Sequence, residues 1–161
     1  MSYVPSKGSR VPRHLLLALL NSNLLEWYFR LGSTNSKVNE YQFRNLPCPR
    51  LSYARSASDR CLADSALSAV RQGRLCEVPG ILATALERPP FPLSVVRTIL
   101  GATRRIVDIE TSRGDIARNE RSALAPEAQP YQDLINVLLY KMAGLTDEEQ
   151  RGVEQRLEEM L

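Results

Sequence analysis

Histidine is nearly absent from this sequence: His14 is the only one among 161 residues. A Ser-His-Asp or Cys-His catalytic arrangement would rest on that single imidazole, at the start of an expected helix where a capping or surface role is the simpler reading. Cysteine is also scarce. Cys48, Cys61 and Cys76 are odd in number, 13 and 15 residues apart, and include no C-x-x-C pair. That spacing disfavours a zinc site or a disulfide framework and fits a reducing cytoplasm. Aromatic residues make up only 6% of the chain, and its longest apolar run, Leu15 to Leu20, is far below the roughly 20 residues of a membrane span. The opening "MSYVPSKGSRVPRH" lacks the apolar core of a signal peptide. A cytoplasmic chain with no membrane partner is expected. No Gly-rich phosphate loop, metal-ligand cluster or nucleophile motif is seen.

What is abundant is Leu, Ala and Arg, a mixture that enters helices easily and predicts a mainly α fold. The charge is unevenly placed: +6 over residues 1–60, +2 over 61–125 and −5 over 126–161. The basic end suits a polyanion and the acidic end does not, although ordinary surface bias explains the same numbers.

Periodicity divides the chain into segments. After an extended basic lead-in, a helix is predicted from Arg13 to about Leu31 on Leu16, Leu20, Leu24, Tyr28 and Leu31, widened by Leu17 and Trp27 and stopped by Gly32. Tyr41 and Phe43, alternating with Gln42 and Arg44, suggest a short strand before Pro47 and Pro49. Helices are expected over residues 57–72 and from Val78–Pro79 to Glu87, with "RPPFP" as the firmest internal break. A long helix follows on Val95, Ile99, Ala102, Ile106, Ile109 and Ile116, reaching Arg118 or further. Tyr131, Leu134, Ile135, Leu138, Leu139 and Met142 match an amphipathic helix ending at Gly144. Thr146 and Glu149 have capping-box spacing and open a last helix on Val153, Leu157 and Leu161, so a helical hairpin closes the chain.

Two polar stretches could carry function. Ser33, Thr34, Asn35, Ser36, Lys37, Asn39, Tyr41, Gln42 and Arg44 supply groups that hydrogen-bond base edges and phosphates, against the plainer reading of a polar surface turn. Arg97, Arg104, Arg105, Arg113, Arg118 and Arg121 recur along the long helix. Ion pairing with Asp108, Glu110, Asp115 and Glu120 would make that series a solvated face, and this is the favoured reading.

Two motifs carry a resemblance. "LLALLNSNLLEWYFR" with "YQFRNLPCPRL" resembles the LNS and LPxP segment near the end of target-recognition regions in adenine-N6 DNA methyltransferases and fused restriction-modification enzymes. These are the proteins with a TaqI-like C-terminal specificity domain. "INVLLYKMAGLTDEEQRGVEQ" is similar to the closing pattern of the same group, with Ile135, Leu138, Leu139, Tyr140, Gly144, Leu145, Thr146 and Glu149 at the matching positions. The resemblance covers residues 14–51 and 130–155, in the right order.

It implies a C-terminal remnant of a target-recognition domain over residues 1–54, with a short β remnant, and a helical spacer and closing hairpin bundle over residues 55–161. The implied function is noncatalytic: DNA specificity within a restriction-modification adenine-N6 methyltransferase system, with double-stranded DNA and a catalytic methyltransferase or endonuclease subunit as partners. Lys7, Arg10, Arg13, Asn35, Lys37, Asn39 and Arg44 are the expected DNA contacts. The family's Asn/Asp-Pro-Pro-Tyr/Phe motif and its Gly-containing cofactor loop do not occur. "RPPF" puts Arg88 where an adenine-gripping Asn or Asp belongs, and it lies on the wrong side of LPxP. No catalysis and no cofactor is therefore expected of this chain, S-adenosylmethionine belonging to a catalytic partner or a missing domain. The chain reads as the tail of a larger enzyme. The alternatives are a helical protein-interaction or oligomerisation module without DNA contact, including a homodimer over the greasy first helix, and a C-terminal fragment of a complete methyltransferase or endonuclease.

Overall fold

The first greasy stretch forms two helices in a computed structural model that describes residues 12–32, 49–87, 89–113 and 124–159. They are α1, Arg13–Leu20, and α2, Asn23–Gly32. The single helix expected there is broken at Asn21 and Ser22 by their own side chains. Asn21 Nδ2 donates to the Leu17 carbonyl at 2.8 Å, while the Ser22 hydroxyl donates to the Leu19 carbonyl at 2.7 Å and accepts the Leu25 amide at 3.3 Å. The Ser22 hydroxyl thus caps the start of α2, while both side chains add a second donor to carbonyls at the end of α1 that already accept the Asn21 and Ser22 amides. The expected apolar stripe shifts as well. Leu15, Ala18, Leu19 and Leu25 are buried, whereas Leu16, Leu20 and Leu24 are half-buried and Leu17, Tyr28 and Leu31 exposed. Six consecutive apolar residues offer several stripes of equal spacing, and the break at Ser22 resets the phase.

Helix α3, Asp59–Arg71, buries Ala63, Ala66, Ala69 and Val70. Its small side chains allow close packing on the longest helix, α6, Leu93–Ser112, which buries Val95, Val96, Ile99 and Ala102. Gly101 lies on Leu67 so closely that a Cβ there would stand 2.5 Å from Leu67 Cδ1. Helix α6 closes with Arg113 as its C-cap, short of Arg118. Between α3 and α6 a continuous helix to Glu87 was expected. Instead there is a 3-10 turn, Leu75–Glu77, and two short helices, α4, Val78–Ile81, and α5, Ala83–Leu86. Gly80 is a weak helix former at that point.

The "RPPFP" break punctuates the chain without ending the core, because Phe91 is itself buried in it. Phe91 also makes the one β pairing among the described residues. Its amide donates to the Arg50 carbonyl at 2.8 Å and its carbonyl accepts the Ser52 amide at 2.7 Å, a parallel bridge between Leu51 and Phe91. The strand expected at Tyr41–Phe43 lies outside the described residues.

Helix α7, Gln129–Met142, buries Tyr131, Leu134, Ile135, Leu138, Leu139 and Met142, the full expected stripe. Gly144, at φ 74°, ends the turn that follows in the left-handed conformation that favours glycine. Helix α8, Asp147–Glu159, starts on the expected capping box: the Thr146 amide donates to Glu149 Oε2 at 2.7 Å and the Glu149 amide to Thr146 Oγ1 at 3.3 Å. These bonds from Thr146, its backbone amide first, hold the Glu149 carboxyl below the ordinary glutamate range. Val153 and Leu157 bury against Tyr140, with Leu24 and Trp27 beside them, so α8 docks on α2. The fold is mainly α, and one apolar cluster runs from Leu15 through Phe91, Val95 and Ile99 to Leu134 and Met142. It joins residues from both sides of position 54.

Candidate nucleic-acid interface

Of the side chains expected to meet DNA, Arg13 is exposed at the first position of α1. Lys7, Arg10, Asn35, Lys37, Asn39 and Arg44 lie outside the described residues. What the structure does describe is the support ahead of that polar stretch, at the joint between α1 and α2. Asn136, buried on α7, accepts the Asn23 amide at 3.1 Å, and Gln132 Nε2 donates to the Asn21 carbonyl at 3.1 Å. Asn23 begins α2, so its amide has no partner within that helix and Asn136 caps it from another element. The spacing of the sequence does not show this pairing, which crosses more than 100 residues.

The arginine series divides. Arg113 pairs with Glu110 at 3.2 Å, as the solvated-face reading requires, and Glu110 also accepts the Ala125 amide at 2.7 Å. Arg97, Arg104 and Arg105 lack the pairing half of that reading, since among the described residues none of them has a carboxylate within 4 Å. Arg104 and Arg105 are exposed and Arg97 is half-buried. Arg118, Arg121, Asp115 and Glu120 lie outside the described residues. Arg71, on α3, is likewise exposed and without an ion pair among the described residues.

The opposite electrostatic character appears between α2 and α8. There a cavity of about 260 Å³ is lined by Asn23, Glu26, Glu154, Leu157 and Glu158. Its carboxylates would repel a phosphate backbone, so this side is unsuited to DNA. Tyr140 lies beneath it, 1% exposed, with a hydroxyl that lacks a hydrogen bond among the described residues. Burial, and then the charge of Glu154, push its pKa from 10 to about 12; the Asn23 side chain approaches and partly offsets this without completing hydrogen-bond geometry.

Because the neutral phenol is favoured in the fold, its stabilisation is fully present below pH 10 and is lost as pH rises towards 12. Tyr140→Phe is expected to leave the neutral-pH melting temperature unchanged or higher, since an unsatisfied buried hydroxyl is removed. It should also flatten the alkaline loss of stability. Thermal melts between neutral and alkaline pH check both, and a clear loss at neutral pH would show that the hydroxyl is bonded.

A second cavity, of about 360 Å³, is apolar. Leu19, Leu24, Leu25, Trp27, Leu139 and Met142 line it between the first two helices and α7. Trp27 Nε1 is buried without a hydrogen-bond partner among the described residues. No group of three or more His, Cys, Asp or Glu side chains placed to hold a metal occurs among the described residues, and no helix there is long and apolar enough to cross a membrane. Cys61 and Cys76 are free and exposed. Comparison with protein-family models, curated proteins and solved structures found no match to this chain.

Proposed function

We propose that this chain is a noncatalytic specificity module of a restriction-modification adenine-N6 DNA methyltransferase system, contacting duplex DNA and docking to a catalytic partner. The observation that supports this most is the joint at Asn21–Asn23. The two motifs behind the resemblance, more than 100 residues apart, meet there through Asn136 and Gln132. A helix that leads into a polar, cation-bearing stretch is thereby clamped to the closing hairpin. Base and phosphate recognition needs such rigid support, because a mobile donor loses its orientation.

The test is fluorescence anisotropy with a labelled mixed-sequence duplex at about 50 and 200 mM salt. Even three phosphate contacts would weaken binding by about 40-fold across that range. Lys37→Ala with Arg44→Ala is expected to remove a large part of the low-salt binding. Binding unchanged by salt would overturn the phosphate-contact reading.

A second reading, a helical docking module without DNA contact, draws on exposed Leu17, Tyr28 and Leu31 together with the apolar cavity that Tyr28 helps to line. A stable dimer by light scattering, with no affinity for duplex even at low salt, would favour it.

A further inference from the structure

The arginines of α3 and α6 are far apart in sequence, and their relative position follows from two fixed points. At the N-terminal ends the Ser94 amide donates to Asp59 Oδ1 at 3.1 Å. Further along, Leu67 lies on Gly101. From the first point to the second the chain advances eight residues on α3 and seven on α6, so the two helices run parallel and nearly in register. Arg71 and Arg105 each stand four residues beyond the second point. Residues four apart share a helix face one turn on. Positions 71 and 105 therefore flank the same seam at the same level, with Arg104 next in sequence and Arg97 one turn before Gly101.

We infer that this seam is a phosphate-binding edge for duplex DNA, centred on Arg71 and Arg105 and extended by Arg97 and Arg104. The inference rests on the DNA-contact reading above and names a contact surface that it lacked. Neighbouring cations without counter-ions repel each other, and a phosphodiester relieves that repulsion while matching the guanidinium fork. Among the described residues Asp64 pairs with Arg60 at 3.9 Å and Glu77 with Arg74 at 2.8 Å, while Asp108, one turn beyond Arg104 and Arg105, offsets part of the edge's charge without an ion pair to either. From Arg97 to Arg105 the edge is about 12 Å long, the rise of roughly three nucleotides on one strand. The carboxylates of α8 line the cleft against α2, away from this seam.

The experiment compares the full chain with Arg71→Ala/Arg105→Ala and with a charge-matched control, Arg151→Ala/Arg156→Ala on α8, by duplex anisotropy over a salt series. All four side chains are exposed, and unchanged thermal melts confirm that the variants remain folded. The seam variant is expected to bind about 10-fold more weakly at low salt, with the log–log salt slope reduced by about 2. The control should bind as the unaltered chain does. If the unaltered chain binds and the seam variant keeps its affinity and slope, or the control weakens equally, the inference fails while the module reading stands. If the folded, unaltered chain binds no duplex, the DNA-contact reading itself is overturned.

Discussion

Replacing Asp59 with alanine is expected to destabilise the chain by about 2–4 kcal/mol, lowering the melting temperature by roughly 5–15 °C. Asp59 is 4% exposed, and both of its carboxylate oxygens are in use. Oδ1 accepts the Ser94 amide at 3.1 Å and Oδ2 the Ser56 amide at 2.6 Å. Ser94 is the second residue of α6, so its amide has no partner inside that helix. Asp59 is also the first residue of α3, which places one carboxylate at the positive ends of two parallel helices. Alanine leaves the buried Ser94 amide without an acceptor and loosens the register that aligns Arg71 with Arg105. Asp59→Asn keeps one acceptor but turns an amide group towards a donor, so it should fall between the two. Circular-dichroism melts measure this, and a loss below about 0.5 kcal/mol, the level of an ordinary surface change, would show that the carboxylate is not the clamp.

Asp59 also marks the limit of what patterning conveys. Its position at the start of a helix was readable; its bond to an amide 35 residues away was not, because no local spacing encodes it. Helix α7 lies at the other extreme. Each residue of its stripe, from Tyr131 to Met142, is buried, and the two buried residues off that stripe have separate reasons, Tyr140 packing against α8 and Asn136 accepting the Asn23 amide. The Thr146–Glu149 capping box was equally readable, both partners lying within one turn. The first two helices were not, because "LLLALL" is apolar all round and the Ser22 hydroxyl breaks a pattern that hydrophobicity alone would continue. For the candidate interface, the arginines were visible in sequence and their alignment was hidden. Helical spacing made Arg104 and Arg105 partners of nearby carboxylates, while the α3–α6 register, which puts the Arg71 and Arg105 positions at one level, rests on the Asp59–Ser94 and Leu67–Gly101 contacts between distant segments.

Leu15→Ala is expected to cost about 2–5 kcal/mol, because it removes a large side chain with no exposed surface and leaves a cavity. The more telling result is the shape of the transition. Leu15 belongs to the apolar cluster that includes Val95, Ile99 and Leu134, and α1 packs directly on α6. If residues 12–32 and the helices beyond position 54 share that core energetically as well as spatially, the variant unfolds in one transition shifted down by roughly 5–15 °C. Loss of α1 alone would give a separate early phase, with the melting of α7 unchanged. Hydrogen exchange at the amides of Leu134 and Leu138 separates the two outcomes. Protection there should fall with Leu15→Ala if the core is cooperative, and should hold at its original level if the first helices are a separable attachment. A cooperative core would make the helical body a mechanical support for the polar stretch after α2. Strain placed on that stretch by a bound partner would then be resisted by the stability of the whole domain rather than by a single frayed helix.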